Sequence, residues 1–348
     1  MTNPSHSKQG RMSPVFRYLV LCFYSLLVGF CFMALWLKWD HNIYQKSLRE
    51  YSSHIYEEGF DAVSVTAPLP RSDRRESFLS RLARRTTPPP DIVTQQERMP
   101  DGDQAWQRFA ASPVLVPEGN VTVVLVIDDL GILKKTTQEM INLDAPLTLS
   151  FLPYASEISK QVEQAYEKGH DILVHIPMEP KGSADAGPHA LMSSESERER
   201  MQDIDYNLSQ FSNYIGINNH MGSEFTEDAA AVEQLLNVIK ERELIVLDSK
   251  TTPNSKLEAV AREKIIPVVN RDVFLDNVHK EDYILGQLAK LESAAKSNGS
   301  ALAIGHPYLQ TLSALKVWIP TLKEKGITVI PISQSIRKKY TDRQIAIN

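Results

Sequence analysis

The chain has 348 residues, of which 42% are hydrophobic and 23% are charged, and these proportions are those of an ordinary globular protein. Its net charge of −5 argues against a broad nucleic-acid-binding surface, so no nucleic-acid partner is expected. Both cysteines, Cys22 and Cys31, lie near the N-terminus. This position excludes a disulfide framework and any thiolate zinc site in the rest of the chain.

Residues 18–37 form a stretch of twenty residues without a charge, YLVLCFYSLLVGFCFMALWL. A helix of this length spans a hydrocarbon core of roughly 30 Å. Three basic residues and no acidic residue precede it, so the positive-inside rule predicts a cytoplasmic tail at 1–17. We therefore expect a single-pass protein of the cytoplasmic membrane, with its C-terminal part in the periplasm. A cleaved signal peptide is the alternative, although its apolar region is usually shorter and ends in small residues.

Residues 38–118 differ in composition from the apolar segment and from the sequence that follows. They contain six arginines between positions 71 and 85 and a run of three prolines at 88–90, with little apolar periodicity. Such a composition is typical of a tether that is partly extended where prolines cluster. We expect a flexible, largely irregular linker. The arginine-rich stretch could also lie against anionic lipid or a cell-wall polymer, but a solvated linker is the simpler interpretation.

From residue 119 to residue 340, short β-branched runs alternate with helix-like segments, and residues 341–348 are interpreted as a tail. The expected strands lie at 121–127, 147–152, 171–176, 215–218, 244–248, 266–269, 301–305 and 327–332. The expected helices lie at 156–168, 194–211, 228–242, 279–297 and 312–325. This alternation predicts an α/β domain with a parallel sheet, either open or closed into a barrel. Eight candidate strands fit a small or distorted barrel.

In parallel α/β proteins, functional residues collect at the C-terminal ends of the strands. In this chain those ends carry an unusual set of ionisable residues: Asp128, Asp129, His175, His220, Asp248 and His306. Each has a simpler explanation, because a histidine after a strand can be an ordinary polar residue, and Asp128–Asp129 or Asp276–Asn277 could cap a helix. Crowding so many such groups costs stability unless they are paired or hold a cation. Imidazoles with one carboxylate are a natural ligand set for a divalent metal, so we favour a metal site.

Such a metal site predicts a hydrolytic mechanism. One aspartate would bind the ion and its neighbour would act as the base, while the metal lowers the pKa of a bound water. A histidine on the opposite side could protonate the leaving group, and the whole arrangement serves hydrolysis of amides or esters. Serine hydrolases, nucleotide hydrolases and dinucleotide-dependent enzymes lack support, because the chain has no G-x-S-x-G, P-loop or G-x-G-x-x-G motif.

Six motifs occur in order at sensible spacings: VLVIDDLG, GHDILVHIPMEP, NNHMGS, LDSKTT, NRDVFLDN and AIGHPYLQT. With these motifs, nearly all of residues 121–335 resemble the polysaccharide deacetylase superfamily, and in particular its divergent branch of bacterial envelope proteins. The resemblance implies a distorted (β/α) barrel with a divalent metal, usually zinc, at the C-terminal rim. It also implies removal of acetyl groups from sugars through metal-activated water.

When the family's motifs are matched to this sequence, the resemblance implies that Asp128 is the general base and Asp129 the metal-binding carboxylate. It implies that His175 is a metal ligand and that His306 is the general acid. The backbone around residues 219–222, beginning at Asn219, would lie near the substrate oxyanion.

The chain departs from the family pattern in two motifs. Glu179 stands four residues after His175, where the family has a second histidine, and the third motif lacks its usual arginine. We expect His220 to supply the missing imidazole in preference to Glu179. We expect Arg271 to replace the missing arginine by pairing with Asp128 or Asp272. Asp248 is expected to support the site.

The leading interpretation is therefore a zinc-dependent deacetylase that acts on an acetylated envelope polysaccharide or peptidoglycan-type glycan. One alternative is a non-catalytic carbohydrate-binding or envelope-assembly protein on the same scaffold. Another is a metal-dependent hydrolase with a different substrate, such as a peptidoglycan amide or another ester. The sequence does not indicate any particular protein partner.

Overall fold

The computed structural model describes residues 104–347, so the expected membrane anchor and most of the expected linker lie outside the described residues. Nine strands are present in this part of the chain: β1 Val121–Leu130, β2 Thr148–Phe151, β3 Asp171–Met178, β4 Gly216–Met221, β5 Ile245–Asp248, β6 Val268–Asn270, β7 Val273–Phe274, β8 Ser300–Gly305 and β9 Ile327–Val329. The helices in the same part are α1 Ala105–Arg108, α2 Lys134–Ile141, α3 Ile158–Glu167, α4 Glu197–Ser209, α5 Ala229–Glu241, α6 Leu257–Glu263, α7 Glu281–Asn298, α8 Leu309–Trp318 and α9 Ile332–Ile347.

All nine strands belong to one parallel sheet. Its order is β6-β5-β4-β3-β2-β1-β8-β7, and β9 pairs with the start of β1. Helices connect most successive strands and cover one face of the sheet, which explains why the strands have continuous apolar runs rather than alternating polarity. The expected α/β domain with a parallel sheet is thus present.

The sheet is strongly curled. Its two edge strands, β6 and β7, follow each other in the chain and are separated only by Arg271 and Asp272. Three peptide steps cover at most about 10 Å, so the two edges of the sheet must approach each other. The backbone N–H of Arg271 donates to Asp248 of β5, and that of Asp272 donates to Leu302 of β8. The segment therefore bridges the two edges, and the C-terminal strand ends share one rim.

The side chains of each strand alternate between two hydrophobic clusters. In β1, residues 123, 125 and 127 pack against the helices, whereas Val124 and Val126 belong to the cluster on the opposite, inner face. Continuing the same alternation to the strand ends places Asp128 of β1, His175 of β3 and Asn218 of β4 on the inner face. His175 and Asn218 are also direct register partners. The alternation of side chains along each strand therefore brings these three polar side chains together on one face.

The packed domain begins earlier than the expected boundary at residue 119. Residues 104–116 lie across the N-terminal end of the sheet, where Trp106 is 4% exposed and joins the inner hydrophobic cluster. The backbone N–H of Ala111 donates to the carboxylate of Asp171 at 2.8 Å. The last part of the expected linker therefore belongs to the domain, because its aromatic residue closes one end of the sheet.

The C-terminal part also differs from expectation. Only Ile327–Val329 of the expected strand 327–332 is extended, and α9 starts at Ile332 and continues to Ile347 through the expected tail. The expected helix 312–325 instead ends at Trp318, where a short 3₁₀ turn containing proline follows. Among residues 104–347, no helix combines the length and the apolar composition needed to cross a membrane.

Candidate metal centre

A β-bulge at the end of β1 places two consecutive carboxylates at the rim. Ile127 pairs with Leu149 and Leu130 pairs with Phe151, so β1 has one more residue than β2 between these pairs. Asp129 lies within this bulge and has a left-handed φ of 57°. Consecutive residues of a regular strand point to opposite faces, whereas a bulge re-aims one of them. A strained backbone of this kind is typical of functional sites.

Three of the expected ligands converge at this rim. Oδ1 of Asp129 lies 3.1 Å from Nε2 of His175 and 2.8 Å from Nδ1 of His220. The ligand atoms of the three residues all lie within 4.8 Å of one another. Burial alone would raise the pKa of Asp129, but its contacts with the two imidazoles outweigh burial and lower that pKa. The cluster therefore stabilises the ionised carboxylate, which is the form that binds a cation.

The chemistry of these three residues fits a divalent metal. Oδ1 of Asp129 is buried and lies within 3.1 Å of one nitrogen of each imidazole. The Nδ1 of His175 bonds to Oδ1 of Asn218 at 2.8 Å, which leaves Nε2 as the lone-pair atom directed at the cluster. One carboxylate oxygen and two imidazole nitrogens are a common zinc ligand set that leaves a position for water. Asp129, His175 and His220 could therefore hold such an ion.

Asp128 lies beside the cluster but outside this ligand set. It is 2% exposed, and its Oδ2 lies 3.8 Å from Nε2 of His175. Burial raises the pKa of Asp128, although His175 and His306 act in the opposite direction. Its Oδ1 accepts a hydrogen bond from Nδ2 of Asn218 at 2.8 Å. A carboxyl group with a raised pKa next to a cation site is suited to proton transfer.

His306 also lies beside the cluster and pairs with a fully buried aspartate. Nδ1 of His306 lies 2.9 Å from Oδ1 of Asp276, and Nε2 lies 3.8 Å from Oδ2 of Asp129. Burial lowers the pKa of His306, but the hydrogen bond and the charge of Asp276 raise it to about 9. His306 is therefore protonated at neutral pH and can donate a proton.

Asp276 does not have the helix-capping role considered from the sequence. The other oxygen of its carboxylate accepts hydrogen bonds from the backbone of His306 and from Oγ1 of Thr311 at 2.8 Å. Both Asp276 and Asn218 were missed as site residues by sequence reasoning. Asp276 lies in the NRDVFLDN motif and Asn218 in NNHMGS, but only the spatial pairing identifies which residue of each motif contacts the site.

The expected ion pairs of Arg271 are not formed. Its guanidinium donates instead to the backbone carbonyls of residues 249 and 250, at 2.8 and 3.0 Å, and lies 4.9 Å from the ring centre of Phe274. The carboxylate of Asp272 accepts a backbone N–H from β8 at 2.8 Å. Arg271 therefore orders the loop after β5 and does not contact Asp128. In the described structure Nδ2 of Asn218 donates to Asp128, at 2.8 Å.

The other expected supporting residues also bind loops rather than the cluster. Glu179 accepts the backbone N–H of Ser193 at 2.7 Å. Asp248 accepts hydrogen bonds from the N–H of Lys250 and from Oγ of Ser255, both at 2.8 Å. Asn219 accepts the N–H of residue 249 at 2.9 Å. These side chains shape the rim loops, and of Glu179 and His220 only the histidine lies in the cluster.

Tyr154, in the loop after β2, is a further residue near the site that sequence reasoning missed. Burial raises its pKa to about 12, and the nearby charges of Asp129 and Asp185 add to the effect. The phenol also lines an open groove together with Tyr206 and Gln210. Among its described lining residues the groove contains none of the cluster, so Tyr154 alone relates it to Asp129.

Together, the fold and the cluster define a parallel α/β protein with a carboxylate–imidazole cation site at the C-terminal rim of a curled sheet. The sequence profile of the divergent polysaccharide deacetylases matches residues 125–336, and the chain belongs to this family. The family resemblance inferred from the six motifs is thereby confirmed.

Relatives of the chain occur in several bacteria. An uncharacterized protein of Escherichia coli K12 named YibQ is 28% identical over 232 residues, which cover 67% of this chain and 71% of YibQ. An uncharacterized protein of Haemophilus influenzae is 30% identical over 205 residues, covering 58% of this chain and 72% of that protein. The crystal structure of an uncharacterized protein from Agrobacterium tumefaciens superposes with a TM-score of 0.63 at 26% identity, covering 66% of this chain and 94% of that one. The similarity therefore extends to the fold.

Proposed function

We propose that the chain is a metal-dependent hydrolase that removes acetyl groups from an envelope polysaccharide or a peptidoglycan-type glycan. The observation that carries this proposal is the convergence of Asp129, His175 and His220, with Asp128 and the protonated His306 beside them. This arrangement combines a cation site, a base and an acid. Membership of the divergent polysaccharide deacetylase family supports an acetylated carbohydrate as the substrate class.

Zinc is the cation that best suits the ligand set. Zinc accepts imidazole nitrogen together with carboxylate oxygen, and three protein ligands leave the fourth position of its tetrahedral site open. When bound, a divalent cation of this kind lowers the pKa of water and polarises a carbonyl group. The hydrogen bond from Nδ1 of His175 to Asn218 keeps Nε2 available for the ion.

The chain's own residues supply the proton transfers. Asp128 is not needed as a ligand and accepts a proton from water during attack on the acetyl carbonyl. His306 gives the proton at Nε2 to the departing sugar nitrogen or oxygen, and Asp276 stabilises the positive charge of its ring. A base and an acid on opposite sides of one carbonyl are the two groups that amide or ester hydrolysis requires.

We also propose that the protein works from the outer face of the cytoplasmic membrane, as a single-pass protein with its domain in the periplasm. The charge-free segment 18–37 and the basic residues before it support this topology. Fusions of a phosphatase that is active only in the periplasm test it. We expect phosphatase activity when the enzyme is joined after residue 348 and none when it is joined after residue 17. The reverse pattern would contradict the topology.

Metal content is the first test of the proposed activity. The full-length chain in detergent is expected to contain one zinc ion per molecule, and Asp129→Ala and His220→Ala are expected to lose it. Glu179→Ala is the matched control, because Glu179 binds a loop outside the cluster. Loss of zinc in Glu179→Ala with retention in His220→Ala would reassign the third ligand.

Acetate release from chitooligosaccharides and acetylated peptidoglycan fragments is the second test. We expect release by the zinc-loaded protein and none by Asp129→Ala. A protein that holds zinc, binds these glycans and is inert on a broad acetylated panel would instead be a carbohydrate-binding protein on a deacetylase scaffold.

A further inference from the structure

Asn218 is the central hydrogen-bonding residue beneath the candidate metal centre. It lies in β4, is 1% exposed and is the register partner of His175. Its Oδ1 bonds to Nδ1 of His175 at 2.8 Å and accepts the hydroxyl of Ser150. Its Nδ2 donates to Asp128 at 2.8 Å and to Oγ of Ser249 at 3.3 Å. One neutral side chain thus contacts both a predicted ligand and the predicted base.

The orientation of this amide follows from its neighbours. In its proposed role as the base, Asp128 is ionised and has no hydrogen to donate, so the edge of Asn218 that faces it at 2.8 Å carries the NH₂ group. The opposite edge is then the carbonyl oxygen. An oxygen on that edge requires that Nδ1 of His175 carries the hydrogen, so Nε2 of the neutral ring is the lone-pair atom. The Asp128 carboxylate therefore sets the tautomer of His175 through Asn218.

We infer that Asn218 is a positioning residue that couples the base to the metal ligand: its Nδ2 fixes the Asp128 carboxylate and its Oδ1 fixes His175 as the Nδ1–H tautomer. This inference rests on the proposed function for the roles of Asp128 and His175, but the hydrogen-bond relay itself does not depend on the substrate. Asn218 does not touch the reacting atoms. It acts through the two residues that it holds.

An amide is the side chain that satisfies both neighbours at once. Aspartate at this position would still accept from His175 and Ser150 but would place a second carboxylate against Asp128. Alanine would remove both contacts and leave polar atoms buried without partners, which is costly. The two substitutions therefore separate the effect on the ligand from the effect on the base.

The test compares Asn218→Ala, Asn218→Asp and a matched control in the full-length chain. Asn207→Ala is the control, because Asn207 is equally buried and donates to the backbone carbonyls of residues 189 and 203, away from the centre. Zinc affinity is measured by competition with a chelating dye. We expect Asn218→Ala to weaken zinc binding by about 10- to 100-fold, as loss of an outer-shell partner typically does. We expect Asn207→Ala to bind zinc like the unmodified chain and Asn218→Asp to lie closer to that chain than to Asn218→Ala.

A second measurement reports the tautomer directly. Long-range proton–nitrogen NMR correlations of the imidazole ring, recorded on the zinc-loaded chain, are expected to show that Nδ1 of His175 carries the hydrogen and Nε2 does not. In Asn218→Ala a part of the rings is expected to carry the hydrogen on Nε2, and in Asn207→Ala none is. A merely structural role of Asn218 would lower thermal stability without moving the tautomer.

The outcomes distinguish this inference from the proposed function. Unchanged zinc affinity and an unchanged tautomer in Asn218→Ala would overturn the relay, and so would an equal loss of affinity in Asn207→Ala. A chain that shows the relay but releases no acetate would overturn the proposed activity and leave the relay standing. If the unmodified chain binds no zinc, both the proposed activity and the relay to a metal ligand fail.

Discussion

The two ends of the sheet both contain buried ionisable groups, but these groups are satisfied in different ways. At the N-terminal end, the carboxylate of Asp171 accepts the backbone N–H of Ala111 at 2.8 Å and that of Ser333 at 2.7 Å. His170 beside it accepts the N–H of Leu147 at 3.1 Å and bonds to a backbone carbonyl at 2.8 Å. The hydrogen bonds of these groups go mainly to backbone atoms, so these side chains hold chain segments together.

At the C-terminal rim, the ionisable side chains face one another instead. Asp129, His175 and His220 direct their ligand atoms into one small volume, where these atoms lie within 4.8 Å of one another. One carboxylate oxygen and two imidazole nitrogens that converge in this way are a ligand set that a divalent cation could complete. The comparison shows that burial of a charge does not identify a functional site. The identity of the partners does.

The largest expected effect is on catalysis at the rim. Asp128→Asn removes the base, and we expect acetate release to fall about 10²- to 10⁴-fold, as loss of a general base typically does, while zinc content is retained. The measurement is kcat at saturating glycan. Asp171→Asn is the matched control at the other end, for which kcat per folded molecule should be unchanged. Equal losses of kcat in both variants would contradict the distinction between a catalytic C-terminal rim and a structural N-terminal end.

Replacing Asp276, the partner of the proposed acid His306, should have the next largest effect on kcat. Asp276→Asn leaves His306 without its buried negative charge, so the protonated ring is less stable and we expect kcat to fall at least about tenfold. Zinc content should be unchanged, because Asp276 contacts none of the three predicted ligands in the described structure. Full activity in Asp276→Asn would show that His306 does not act as the acid.

At the N-terminal end we expect an effect on stability rather than on chemistry. Asp171→Ala leaves two buried backbone N–H groups without partners, and each costs about 1–3 kcal/mol. The free energy of unfolding, measured in urea, should therefore decrease. This decrease should be several times larger than the decrease caused by replacing an exposed aspartate such as Asp205. Zinc affinity of the folded protein should stay the same. A stability loss no larger than that of Asp205→Ala would contradict the structural role.

The smallest effect is a pH dependence of stability that arises from His170. Burial lowers the pKa of His170 below its ordinary value of 6.5, so the unfolded chain binds the proton more readily than the folded one. The stability contribution is therefore complete above pH 6.5 and is lost as pH falls, by at most about 1.4 kcal/mol per pH unit. Thermal unfolding between pH 7.5 and pH 5 measures it. His170→Gln should have a smaller acid slope, and an identical slope would exclude His170 as the source.

Much of the fold could be predicted from the sequence because the strands are buried on both faces. The apolar runs at 121–127 and 171–176 lie within β1 and β3, and the motif order predicted the family. The strand-end rule also placed Asp129, His175 and His220 among six candidates, since parallel strands bring their C-terminal ends to one edge regardless of sequence separation. The family resemblance then implied the first two as ligands. A periodic pattern of this kind is local and can be read without the tertiary structure.

The partners of these residues could not be predicted in the same way. Asn218 and Asp276 contact the site through the register of β4 beside β3 and of β7 beside β8, and register depends on the whole sheet. Arg271 was expected to form an ion pair with Asp128 or Asp272 because of its charge, but its guanidinium donates to backbone carbonyls instead. The packing of Trp106 depends equally on an end of the sheet that is built from distant residues.

The sequence by itself therefore determined the α/β class, the family and the three residues that converge at the rim, because these follow from short-range periodicity and motif order. Only the tertiary structure decided the hydrogen-bond partners that orient those residues and the true start of the domain. Partner choice is set by distances of a few ångströms between segments that lie far apart along the chain.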